Sequence, residues 1–347
     1  MSNFLKNITV LSVTTLIMII IGEIIIGFFY QQRLVFPPFY EKDDKYGYRL
    51  KNSATFMHKD YNISNKVILN KDGFRSFSET DSVDLGKKTI LFIGDSFTFG
   101  QGVNFENTFV GQISDHYNSF QVINASAPGW GPAQYEKLLF DFLDKKLNVS
   151  CVVLGYFPYN DLWDADRSYK DIKIFEGRIV SESTKLSFWK RLKIKLIHKS
   201  QILMLVYRLK KSSVKSSKIR GAIQKDSNFS KLFLGDTKIL REYGAIAQNK
   251  IISMNEVCKR NNIPLFVLVF PSEHGFTERE SFYDSNIVDY PFPTKLLTTE
   301  LQNAGIKAID FWPLMSRDCY LIQDAHFNFT GHKNVYEKLK VVLFDVL

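Results

Sequence analysis

The run Ile90-Leu91-Phe92-Ile93-Gly94-Asp95-Ser96-Phe97-Thr98-Phe99-Gly100 carries an apolar stretch onto a hydroxyl side chain. A serine hydroxyl is inert at neutral pH unless a base removes its proton, so Ser96 needs an imidazole and an orienting carboxylate from elsewhere in the chain. Six histidines are available. His58, His116, His198 and His274 fall in a polar segment, a helical stretch, a basic region and a loop, and none has a carboxylate in a special local setting. His326 is different. In Gln323-Asp324-Ala325-His326-Phe327-Asn328-Phe329-Thr330-Gly331-His332 an aspartate precedes it by two residues, in a loop too irregular for helix or strand. From there Asp324 can swing onto the ring Nδ1 and leave Nε2 to face Ser96. Such a set would do nucleophilic acyl transfer, with His326 acting first as general base and then as general acid. A free-imidazole pKa of about 6.5 suits both tasks.

The elements that must hold these residues follow from the apolar pattern. A short apolar run bounded by glycine reads as a strand buried on both faces, which belongs to a parallel sheet covered by helices. Ligands in that architecture gather at the carboxyl ends of the strands, where Ser96 stands. Downstream the pattern alternates: helix over 105–117, strand over 120–124, helix over 132–146 and strand over 149–157. It resumes with helix over 239–261, strand over 264–270, helix over 293–304, strand over 306–311 and a closing helix within 333–347. The expected fold is therefore α/β, a doubly wound, flavodoxin-like sheet of about five parallel strands. His332 stands at the start of the closing helix, as a cap or a packing residue.

Four blocks in order resemble the SGNH, or GDSL-like, hydrolases: Gly94-Asp95-Ser96, Ile123-Asn124-Ala125-Ser126-Ala127-Pro128-Gly129, Gly155-Tyr156-Phe157-Pro158-Tyr159-Asn160-Asp161, and the Asp324/His326 pair. The resemblance covers 87–164 and 246–347. It implies a Ser96–His326–Asp324 triad and an oxyanion hole made by the Ser96 and Gly129 amides and the Asn160 side chain. Losing one such donor typically costs about 3 to 4 kcal/mol of transition-state stabilisation. Many members place two residues between aspartate and histidine, whereas here only Ala325 intervenes. That spacing resembles membrane-associated and exported relatives acting on acyl groups of polysaccharides. Asp95, Trp130 and Arg75 are further candidates for substrate contact. Trp130 either lines the acyl or sugar pocket or packs, and Arg75, in a Phe74-Arg75 pair resembling a motif ahead of the serine block, either reaches the site or anchors a small hairpin.

The chain of 347 residues, 45% hydrophobic and 14% aromatic, has material for one large α/β domain plus additions. Cys151, Cys258 and Cys319 form no disulfide framework and leave the compartment open. Residues 8–30 are apolar over a length that spans a bilayer, and Phe28-Phe29-Tyr30-Gln31-Gln32-Arg33 offers no small-residue cleavage site, so an uncleaved anchor is expected. Glu23 within it is costly against lipid and must face a membrane partner or reach for the interface. The flanking cations do not favour export; extracytoplasmic placement of the catalytic domain follows from the resemblance alone. The expected divisions are a tail at 1–7, the anchor at 8–30, a connector with small β elements at 31–85, the hydrolase domain at 86–164 and 241–347, and a basic, mainly helical insertion at 165–240.

Residues 166–242 hold 20 Lys and Arg against 7 Asp and Glu, a local excess in a chain whose total is +9. The stretches 188–197 and 202–211 read as amphipathic helix with a cationic face. Such a face could lie on a membrane, form a lid, line a groove for an anionic glycan, or simply be solvated. Nucleic-acid binding is disfavoured, since no recognisable module accompanies the basic stretch. No G-x-S-x-G elbow, phosphate loop, dinucleotide fingerprint, H-E-x-x-H or paired-cysteine pattern is present, so no metal or cofactor is expected. Three functions remain: a membrane-anchored serine esterase cleaving acyl, chiefly O-acetyl, esters of a glycan or other small substrate; an acyltransferase passing the acyl group to a polysaccharide hydroxyl; and a silent glycan-binding or assembly subunit.

Overall fold

The computed structural model describes residues 3–29, 37–60, 63–165, 172–180, 186–207, 209, 237–276, 289, 291–322 and 324–347. Contacts divide the chain into two units: 1–36, 59–63 and 183–225 form one, and 37–58, 64–182 and 226–347 the other. Parts of the expected 202–211 helix lie outside the described residues.

In the first unit α1 (Asn3–Phe29) is an apolar helix without a single buried residue. Among the described residues it alone is long and apolar enough to cross a membrane. It begins five residues before the expected 8–30 span.

The second unit opens with a hairpin of β1 (Tyr40–Asp43) and β2 (Gly47–Leu50), followed by the pair β3 (Ala54–Asp60) and β4 (Ile63–Leu69). Then come β5 (Thr89–Gly94), α2 (Ser96–Phe99), α3 (Phe109–His116), β6 (Gln121–Ser126), α4 (Pro132–Asp144), β7 (Val149–Tyr156) and α5 (Pro158–Asp164). A two-stranded ribbon follows, β8 (Lys173–Phe175) with β9 (Arg178–Val180). The remaining described elements are α6 (Phe188–Lys199) and α7 (201–207) of the first unit, then α8 (Thr237–Arg260), β10 (Leu265–Val269), α9 (Phe292–Asn303), β11 (Lys307–Asp310) and α10 (Phe329–Phe344).

The main sheet runs β11-β10-β7-β5-β6, every pairing parallel. In chain order this is 2-1-3-4-5, the flavodoxin-like arrangement. β5 is buried at all six positions, as its unbroken apolar sequence requires. One face carries Ile90, Phe92, Cys151, Val153, Phe266 and Leu268 at the two-residue period of a strand, and this face meets Phe109, Val110 and Ile113 of α3 and Val335, Leu339 and Leu343 of α10. On the other side α4, α5 and α8 pack together.

Three expectations are refined. The 105–117 helix is a short 3₁₀ turn (Phe105–Asn107) followed by α3, because Thr108 turns the chain and caps α3 by accepting from Gly111 N–H. The closing helix starts at Phe329, where Asn328 caps it, so His332 is a buried packing residue inside it. The insertion also contains the β8–β9 ribbon. Its turn residues Glu176 and Gly177 both have positive φ (48° and 72°), the geometry that matches strand twist in a two-residue hairpin.

Candidate active site

Ser96 follows β5 directly, at the point where the strand order reverses between β5 and β7, the crevice where doubly wound sheets bind ligands. Asp95 caps the four-residue helix that carries the serine: its Oδ1 accepts from Phe97 N–H at 2.9 Å. Capping is thus done by the neighbouring carboxylate, which leaves the serine hydroxyl available. His326 Nε2 stands 2.7 Å from Ser96 Oγ, and Nδ1 of the same ring is hydrogen-bonded to Asp324 Oδ1. The same Oδ1 also accepts from the His326 backbone N–H at 3.1 Å. Aspartate-x-histidine spacing therefore folds into a turn that grips both the backbone and the ring of one residue.

The electrostatics of the site are set by burial and by these contacts. Burial raises the Asp324 pKa, but hydrogen bonds from His326 and the charges of His326 and His58 outweigh it and hold the carboxyl below its ordinary range. Phe97 backs the imidazole with ring centroids 5.0 Å apart. His332 plays no part in proton transfer. Burial, together with the charges of Arg75 and His326, pushes it down to about 3, and its neutral Nδ1 accepts from Phe109 N–H at 3.4 Å.

Asn160 lies in the first turn of α5, and its Nδ2 donates to Asp95 Oδ2 at 3.0 Å. One N–H is spent orienting the amide and the other remains for an oxyanion. Asp95 and Asp161 are both fully buried. Burial raises both pKa values, and for Asp161 the neighbouring Asp95 charge adds to it. Asp161 accepts from Phe157 N–H at 2.8 Å and Tyr135 Oη–H at 2.9 Å, which fixes the turn that presents Asn160. Gly129 sits in the left-handed region with φ 82°, where an added Cβ would come 2.8 Å from Tyr48 Oη.

The remaining candidates are structural in their contacts. Arg75 is 1% exposed, and its guanidinium donates to the carbonyls of Phe99 (2.7 Å), Gly100 and Val103 and lies over the Phe99 ring. Of the two roles expected for it, its contacts are those of an anchor, since it braces the backbone that follows the serine. Burial lowers its pKa to about 9 against the opposing charge of Glu106, so it is a cation at neutral pH. Arg75→Met should strip three buried carbonyls of their donor and destabilise the fold by about 3 kcal/mol or more, read as a shifted urea midpoint. Trp130 is 3% exposed and its indole N–H is used by the Tyr48 carbonyl at 3.2 Å, so it packs against the β1–β2 hairpin. Asp95, having no exposed surface, organises the site from beneath.

Sequence reasoning missed Phe97 and Tyr135, and set aside His58, whose charge acts on Asp324. Phe97 sits in the serine block itself, where an aromatic directly after the nucleophile could have been read as backing for its base. His58 carried no local signal.

No family model and no curated protein matches the chain. Among solved structures, TesA is similar with a TM-score of 0.42 and 12% identity, over 75% of this chain and 99% of that one. A member of the lipolytic G-D-S-L family from Veillonella parvula follows with a TM-score of 0.41 and 10% identity, over 74% and 97%. An acetyl-xylooligosaccharide esterase variant from Geobacillus has a TM-score of 0.38 and 12% identity, over 75% and 94%. Likeness at this level carries no assignment, and the functional reading rests on the site itself.

Proposed function

We propose that the chain is a membrane-anchored serine ester hydrolase of the SGNH type, cleaving acyl esters, foremost O-acetyl groups on a glycan. The observation that carries this reading is the 2.7 Å contact of Ser96 Oγ with an imidazole whose other nitrogen is held by a carboxylate. Ser96 Oγ attacks the carbonyl carbon as its proton passes to His326 Nε2. Negative charge gathers on the former carbonyl oxygen, which takes hydrogen bonds from Asn160 and from the Ser96 and Gly129 amides. The tetrahedral centre collapses, the alcohol leaves with the proton from Nε2, and acyl-Ser96 remains. Water repeats the sequence, releasing the carboxylic acid and restoring the serine.

The nucleophile is only 7% exposed, which favours a small acyl group. Hydrolysis of p-nitrophenyl acetate should therefore exceed that of the octanoate ester in kcat/KM. A preference for octanoate would remove the support for acetyl. The reading as a whole is tested by turnover of p-nitrophenyl acetate and fluorophosphonate labelling of the full chain in detergent. Folded protein that neither turns over nor labels would leave the binding-subunit function in its place. Diversion of acetyl to an added sugar would identify a transferase using the same acyl-enzyme.

Asn160→Ala should lower kcat by about 10²- to 10³-fold with little change in KM, because the donor acts on charge that exists only in the transition state. A raised KM with kcat unchanged would instead make Asn160 a contact already made in the ground state.

A further inference from the structure

Glu23 lies six residues before the end of α1. Its carboxylate accepts from the Ser200 hydroxyl and, at 2.7 Å, from the Gln201 backbone N–H, so it caps α7. Gly22 makes room for this contact: a Cβ there would come 3.3 Å from Ile202 Cδ1. The groups that hydrogen-bond Glu23 thus belong to a segment of the same chain and the same unit. With a rise of about 1.5 Å per residue, the cap stands about 9 Å from the Phe29 end of the helix.

The element tied there is unusual for a segment in water. α6 contains Lys190, Arg191, Lys193, Lys195 and Lys199, no acidic residue and no buried residue. Phe188 and Trp189 at its start are 70% and 75% exposed, and Leu196, Leu203, Val206 and Tyr207 are also exposed. A helix stabilised by packing on a protein core would turn its aromatic residues inward.

We propose that α6 and α7 lie in the plane of the membrane that α1 crosses, resting on its anionic phospholipid surface, with Glu23 setting their depth. This rests on reading α1 as a membrane span. In-plane amphipathic helices seat their apolar side about 5–10 Å into the boundary between headgroups and acyl chains, which matches the depth of the cap below the end of α1. Cations on the exposed face meet anionic headgroups, and Phe188 and Trp189 occupy the interfacial zone that aromatic rings favour. The tether makes surface binding intramolecular, so even a weak headgroup attraction keeps the element seated. Glu23 also gains: its two donors from the Ser200–Gln201 turn satisfy a carboxylate that lipid would leave bare.

The test uses the full chain in vesicles of phosphatidylcholine with phosphatidylglycerol, with a doxyl quencher at a shallow acyl position. Tryptophan fluorescence should be quenched, and Trp189→Phe should remove most of that quenching. Replacing Lys190, Arg191 and Lys193 together by Gln, omitting phosphatidylglycerol, or introducing Glu23→Ala should each weaken it, while p-nitrophenyl acetate turnover of the triple variant stays unchanged. A chain that resists alkaline extraction yet shows no Trp189-dependent quenching overturns the surface placement and leaves the anchor standing. Extraction of the chain at alkaline pH overturns the span and this inference with it, and leaves the esterase reading to its own assay. A Trp189 response to soluble polygalacturonate with no lipid quenching overturns it in favour of a glycan groove.

Discussion

Ser96→Ala is expected to lower kcat/KM for p-nitrophenyl acetate by about a millionfold and to abolish fluorophosphonate labelling. The size follows from removing the attacking atom altogether, so that only the oxyanion donors and binding remain to help water. The substitution is also a clean one. The α2 cap is supplied by Asp95, not by Ser96, and the hydroxyl that is lost is hydrogen-bonded to His326. Thermal stability should therefore stay within about 0.5 kcal/mol of the parent. Retained turnover in a folded Ser96→Ala protein would end the nucleophile assignment.

Asp324→Asn should cost about 10⁴-fold in kcat/KM. In the parent, the carboxylate accepts from the His326 ring Nδ1–H and from the backbone N–H, which commits the ring to presenting a bare Nε2 to the serine. An amide that turns its NH₂ toward Nδ1 selects the opposite tautomer and leaves Nε2 carrying the proton it should receive. The pH dependence has a definite sign. Because the Asp324 pKa is depressed in the fold, its contribution to stability is complete above the ordinary carboxylate value of about 4 and disappears as pH falls through the lower folded value. Asp324→Asn should lose that acid-side dependence, seen in urea midpoints across the acidic range. A variant with parent-like kcat/KM would show that some other group orients the ring.

Much of this is legible in the sequence. β5, β7 and β10 announce themselves as mainly apolar runs, the shorter, more polar β6 and β11 follow from the alternation with helices, and Ser96 and Asp324/His326 stand out because their types and local settings are rare. Arg75 stayed open between the site and a structural anchor for a physical reason. A cation beside a serine block suggests substrate, and sequence does not reveal that three backbone carbonyls would claim its guanidinium. Trp130 and His332 illustrate the same limit: burial depends on contacts with Tyr48 and Phe109, far away in the chain. The β8–β9 ribbon escaped because its strands are three residues each and its turn begins with Glu176, a residue that seldom takes positive φ.

Ser96 and His326 are 230 residues apart along the chain. The ribosome completes the nucleophile's strand early, and until α10 arrives the Ile90 and Phe92 side of the sheet lacks the Val335, Leu339 and Leu343 side chains that cover it. The Ser96–His326 pair is thus completed only after the Asp324–His326 loop has been made, long after β5. Until then the nascent chain carries Ser96 without the imidazole that stands 2.7 Å from it in the fold. The loop that carries the base and the helix that covers the sheet thus belong to one segment, 319–344, of the chain.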